Sequence, residues 1–169
     1  MTAPSSKELG QPTDPQELVP GNTEHIEANV TRLADEHERI SGLFDSLKSV
    51  RVPEWSGDAQ HAWEVHHDVE VDRWKRYLKH LAETRDAIEA YSGSLTAAQG
   101  KAQQAIDKWQ EGEEATDQAV IDYNNAVDTY NKHACDPVPV GGPPVIRPAH
   151  PGPFVDPGEK IRDEAQEIL

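Results

Sequence analysis

Basic residues are scarce in this chain: 16 Lys and Arg stand against 31 Asp and Glu, a formal charge of −15. A field of that sign repels phosphate backbones, and no local cluster of Lys and Arg relieves it, which argues against a nucleic-acid partner. Cysteine is nearly absent. The single Cys135 has no partner for a disulfide within the chain and so says little about redox compartment. Long apolar runs are missing too, since nothing approaches the roughly 18 residues that a membrane span requires. The opening MTAPSSKELGQPTDPQ has no basic segment leading into an apolar one, as a general secretory signal would. No glycine-rich phosphate loop follows a strand, because no segment reads as a strand, and no nucleophile sits in a recognisable catalytic setting. The expectation is a protein that is not an enzyme, with no catalytic residues, no cofactor and no small-molecule substrate.

What is present is helix. At 169 residues and 36% hydrophobic content the chain has material for one ordinary domain with a thin core. Residues 1–21, rich in Pro, Ser, Gly and Gln, bury too little to offset the entropy of ordering and read as a flexible N-terminal arm. From Asn22 the pattern changes. Asn22 can cap free amides, Glu24 and Glu27 suit a positive helix start, and Ile26, Val30, Leu33, His37, Ile40, Phe44 and Leu47 recur at alternating steps of four and three. That spacing predicts one helix with a narrow apolar stripe, ending near Ser49 before the break at Arg51, Val52 and Pro53.

A second helix is expected just after Gly57. From Asp58 to about His133 there is no proline, and a stripe runs through Trp74, Leu78, Leu81, Ile88, Tyr91, Leu95, Ala98, Ala102, Ile106, Trp109, Thr116, Val120, Tyr123, Val127 and Tyr130. Unbroken, such a helix measures on the order of 110 Å. The first helix is about a third as long, so as an antiparallel hairpin it should cover the second only to about Arg85. A bend at Ser92-Gly93-Ser94 or Gly100 is the alternative; the stripe keeps phase across both and favours the unbroken helix.

Residues 136–156, opening DPVPVGGPPVIRP, carry a proline every few positions and read as an extended linker able to return roughly 65 Å along the long helix at about 3.1 Å per residue. Residues 157–169 then read as the start of a third helix, with Asp156 as cap and Pro157 in its first position. It stops in mid-stripe at Ile168-Leu169, as the N-terminal part of a longer protein would. The apolar far end of the long helix, around Trp109, Val120, Tyr123, Val127 and Tyr130, must be covered by something. The choices are the return segment through Val145, Ile146 and Phe154, a second copy of the chain, or a separate helical partner.

The densest cluster of ligand-type side chains is His61, Glu64, His66, His67 and Asp68. Glu64 and His67 form one E-x-x-H unit, but a di-metal bundle site needs two such units with further carboxylates, so no metal is expected. The acidic positions Glu111, Glu113, Glu114 and Asp117 read as a solvated helix face.

One residue resists these explanations. Trp55, with Ser56 and Gly57, falls in the short turn between the two helices, where a large apolar ring is either folded beneath the loop or kept for a partner. Helix, W-S-G turn and helix together resemble the WxG helical-hairpin proteins exported by type VII secretion systems of actinobacteria and firmicutes. Residues 19–110 in particular resemble the N-terminal secretion-signal domain of large type VII polymorphic toxins of actinobacteria. The resemblance implies an all-α, WxG-type antiparallel hairpin domain over residues 22–135 that recruits a larger C-terminal cargo to the export machine. Trp55, Ser56 and Gly57 would be the secretion motif, and Trp109, Glu113, Val120, Tyr123, Val127 and Tyr130 a partner-binding stripe. It implies as partners a small WxG-like hairpin protein or a second copy, and the secretion system's membrane ATPase. Synthesis would be cytoplasmic and export independent of a signal peptide. The family's Y-x-x-x-D/E export signal is missing: none of Tyr77, Tyr91, Tyr123 and Tyr130 has an acid four residues on, and only Trp109-x-x-x-Glu113 keeps the spacing. Two other readings stay open, a non-exported structural or adaptor hairpin and a metal-binding bundle.

Overall fold

The computed structural model describes residues 7–134, 141 and 147–169. Among them the chain forms four helices and no strand: α1 Pro15–Leu18, α2 Thr23–Ser49, α3 Asp58–Ala134 and α4 Gly158–Ile168. Two compact units result, one of Gly21–Ala97 and the other joining Met1–Pro20 to Ala98–Leu169, and α3 contributes to both.

In the Gly21–Ala97 unit, α2 starts where the Asn22 side chain accepts the His25 amide at 2.8 Å. It then runs against the first part of α3 in the opposite direction. The Leu47 carbonyl meets His67, Ile40 shares a groove with Trp74, Ile26 shares one with Ile88, and Gly21 lies against Leu95. The α3 partners His67, Trp74, Leu81, Ile88 and Leu95 stand seven residues apart, with Val71, Leu78, Arg85 and Ser92 forming the alternate row. All nine are at least partly buried. A 3.5-residue repeat is the period at which two helices stay in contact as they wind about each other.

This register corrects two expectations. Coverage by α2 reaches Leu95 rather than ending near Arg85, because the first turns of α3 project beyond the end of α2 and Leu47 pairs with His67, well inside the helix. Tyr91, placed on the stripe from sequence, is 58% exposed, and the seam passes through Ser92 instead. Ser92 is four residues after Ile88 and three before Leu95, so a strict seven-residue phase selects it over the larger apolar neighbour. Its hydroxyl is buried without a hydrogen-bond partner.

In the second unit, residues 7–20 depart from the flexible arm expected of residues 1–21. Asp14 caps the single turn of α1 by accepting the Gln16 amide, Lys7 pairs with Glu17 at 2.6 Å, and the segment lies on α3. Gly10 rests against the Trp109 indole, Pro12 is buried, and the Val19 carbonyl accepts from Gln99 Nε2 at 3.1 Å. Ala102, Ala105, Ile106 and Ala165 are the buried apolar residues of this unit. The N-terminal segment is held by its own cap and ion pair and by the side chains of Trp109 and Gln99.

α3 runs without interruption through Ser92, Gly93, Ser94 and Gly100. The sequence groups residues 22–135 as one hairpin domain, whereas the structure divides α3 between two units, since α2 is too short to accompany it past Leu95. α4 occupies Gly158–Ile168, one residue inside the expected start.

Ser92→Ala removes a buried, unpaired hydroxyl and improves helix propensity, so it should stabilise the hairpin by about 1 kcal/mol. A thermal melt should rise by a few degrees; a fall would mean that the hydroxyl has a bonded water or partner.

Candidate functional site

The turn between α2 and α3 is built from exposed parts. After Val50 leaves helical geometry, Arg51 Nη1 donates to the Lys48 and Val50 carbonyls at 2.8 and 2.7 Å. These are among the carbonyls that a helix end leaves without partners. His67 supplies another: its Nε2 donates to the Leu47 carbonyl at 2.8 Å while its ring stacks on Trp63 at 4.7 Å. His67 thus closes the end of α2, and Glu64 is held instead by Gln60 at 3.0 Å. Among the described residues no three His, Cys, Asp or Glu side chains are arranged to hold a metal ion.

The tip of the turn follows. Trp55 N bonds the Val52 carbonyl at 3.1 Å, and Gly57 turns the chain into α3 at φ +73°, a region costly for any residue with a β-carbon. Trp55 is 51% exposed, and Ser56 and Gly57 are exposed beside it. The ring is therefore not folded beneath its own loop.

The six stripe residues belong to the other unit, together with segments that lie on them. Trp109 Nε1 donates to Glu113 Oε1 at 3.1 Å, so the aromatic and the acid of the W-x-x-x-E spacing are bonded to each other one turn apart. Tyr123 donates its phenol to the Gly152 carbonyl at 2.9 Å and meets the Phe154 ring edge-on at 5.5 Å. Tyr130 meets His150 edge-on at 4.9 Å. Val127 is partly buried and Val120 is 40% exposed. The return segment therefore lies along the stripe through Phe154; Val145 and Ile146, the other two residues expected to pack there, fall outside the described residues, as does Cys135.

A polar node anchors the return segment to both helices. Asp156 Oδ1 accepts from Thr116 Oγ1 at 2.6 Å and from the Gly158 amide at 2.8 Å, and Asp156 Oδ2 pairs with Arg162 at 2.6 Å. Arg162 Nη1 also donates to Thr116 Oγ1 at 2.7 Å and to the Gly112 carbonyl at 3.3 Å. The Thr116 and Arg162 hydrogen bonds hold the Asp156 carboxyl below the usual carboxylate range, aided by the Gly158 amide. Around this node α3 and α4 touch backbone to backbone. A β-carbon on Gly112 would lie 2.7 Å from Arg162 Cγ and 3.0 Å from the Gly158 carbonyl oxygen, and one on Gly158 would collide with the Gly112 carbonyl. Lys108, 3.2 Å from Glu111 and 3.5 Å from Glu164, ties the next turn of α4 down, and both carboxylates raise its pKa.

Sequence reasoning placed Asp156 as the cap and Pro157 as the first helical residue; in the structure Pro157 takes the cap position and Asp156, one residue earlier, accepts the Gly158 amide. That reasoning missed Gly112, Gly158 and Arg162. The available signal was a pair of glycines, each followed four residues later by a hydrogen-bonding side chain: Gly112 with Thr116 and Gly158 with Arg162.

Compared with known families, the chain matches the T7SS secretion signal domain over residues 2–169. Among curated proteins nothing matches the chain. No solved structure matches it either.

Two outcomes are expected at the α3–α4 node. Gly112→Leu should undock α4, giving fast amide exchange at 158–168 while α2 stays protected, because overpacking of this order costs about 1–3 kcal/mol. The second concerns pH. The folded-state value of Asp156 lies below its unfolded value, so its contribution is complete above the ordinary carboxylate range and is lost as pH falls through the depressed value. Protection at 158–168, measured relative to the intrinsic exchange rate at each pH, should therefore fall in acid, and Asp156→Asn should flatten that dependence.

Proposed function

The chain belongs to the family of T7SS secretion signal domains, which gives it a secretion-targeting role, and we propose that it performs that role as a non-enzymatic handle recruiting a larger cargo, such as a toxin, to a type VII export machine. The observation that carries the reading is Trp55. A tryptophan half-exposed at the tip of two phased helices, held in a turn by Gly57, contributes little to any core and offers a rigid apolar ring to a partner. The antiparallel pairing of α2 with α3 in the unit that bears it supports reading that unit as a WxG-type hairpin. The membrane ATPase of the secretion system is the proposed receiver of this tip.

The second contact surface is the α3 seam, Val120, Tyr123, Val127 and Tyr130 with Trp109 and Glu113, which takes a helix of a small hairpin protein. What supports it is the phase of α3. The seven-residue repeat that seats α2 against His67 to Leu95 continues in sequence through Ala102, Trp109, Thr116, Tyr123 and Tyr130, and a helix is the occupant that such a repeat suits. The Trp109–Glu113 pair stands where the family's aromatic-and-acid export spacing would be expected, and it is proposed to replace that element.

Trp55→Ala should leave the melting temperature within a few degrees, since an exposed side chain forfeits little burial, while secretion of a fused cargo falls at least several-fold. A large loss of stability with secretion intact would make Trp55 a structural residue. Tyr123→Asp with Val127→Asp should abolish co-purification with the hairpin protein and block export.

A further inference from the structure

The second contact surface already has an occupant, the chain's own residues 147–157. Three α3 positions seven residues apart, Thr116, Tyr123 and Tyr130, meet Asp156, Gly152 with Phe154, and His150 in turn. Two helical turns rise about 10.5 Å, and extended proline-rich backbone covers that in about 3.4 residues. The segment therefore tracks one row of the seam in register. It serves the other row incompletely: Val127 is partly buried, but Val120 remains 40% exposed. By contrast, where α2 lies on α3, both rows are covered, down to Leu78, Ser92 and Leu95. The segment also gains little burial of its own, with Phe154 39% and Val155 78% exposed.

We infer that residues 147–157 form a displaceable strap, latched by Asp156, Arg162 and Thr116, that holds the α3 seam closed until a partner helix takes its place. The inference rests on the reading of the seam as a partner surface. A helix is the occupant because the seam continues in phase the one on which α2 is seated, and a helix would bury both rows where the strap leaves Val120 exposed. The strap lowers the apparent affinity of the seam for helices by the fraction of time it is closed. It also shields Tyr123 and Tyr130 while no partner is bound. The Tyr123 phenol on the Gly152 carbonyl and the Asp156 carboxylate between Thr116 and Arg162 help to fix it.

The test uses the whole chain carrying Tyr123→Phe and Asp156→Asn, which removes the phenol bond and the ion pair while keeping the ring. The probe is a fluorescein-labelled peptide of residues 23–49, the one helix that the structure shows seated on this repeat. Amide exchange at 147–156 should rise about tenfold with residues 98–134 still protected, and the peptide should bind about tenfold tighter than to the unaltered chain. Adding Val120→Asp should remove that binding. Faster strap exchange with unchanged peptide affinity would overturn the inference, as would exchange that does not respond to the two substitutions. The outcomes separate the strap from the seam. If peptide affinity stays flat while Tyr123→Asp with Val127→Asp still blocks export, the strap alone fails; if that pair leaves export untouched, the seam reading fails.

Discussion

One α-helix of 77 residues with a seven-residue apolar repeat cannot bury its own seam, and the rest of the fold is a set of answers to that constraint. α2 answers it between His67 and Leu95 in the ordinary way, helix on helix. Beyond Ala98 the chain supplies no second helix of comparable length. It uses a short N-terminal segment against Trp109 and Gln99, the eleven-residue α4 against Gly112, and an extended strap against Tyr123 and Tyr130. Each covers a few turns. At Gly112 the change of occupant follows the change of side chain, since a glycine there admits the α4 backbone at close range.

The glycine contact between α3 and α4 gives the Asp156 node its character. With neither β-carbon in the way, Thr116, Asp156 and Arg162 converge within hydrogen-bond distance, and the carboxylate is satisfied by three donors. Such a node is specific because each member needs the other two, and it adds orientation more than gross stability, since its ion pair remains partly exposed to water. It fixes where the strap ends and α4 begins.

The tip that carries Trp55 is held by backbone and by Arg51 and His67, which cap the carbonyls of α2 and leave the ring free of structural duty. His67 is instructive, because the sequence sets it in an E-x-x-H unit beside His66 and Asp68. In the folded hairpin it serves the end of α2, and Glu64 turns to Gln60 instead.

By itself the sequence determined the helices, their starts at Asn22 and Gly57, the unbroken length of the second and the exposed turn at Trp55. These depend on local caps, prolines and periodicity, all of which are written in neighbouring residues. Only the tertiary structure decided the register of α2, the choice of Ser92 over Tyr91, the ordering of residues 7–20 and the node at Asp156. Register depends on how far the start of α3 overhangs α2, and a one-position shift of stripe depends on holding a period of 3.5 rather than 3.6 over many turns. The N-terminal segment and the node join residues separated by 40 to 100 positions, and nothing in either partner's local sequence names the other. At the node the pairing is set by Gly112 and Gly158, which let two distant backbones approach, and the N-terminal segment pairs through the side chains of Trp109 and Gln99.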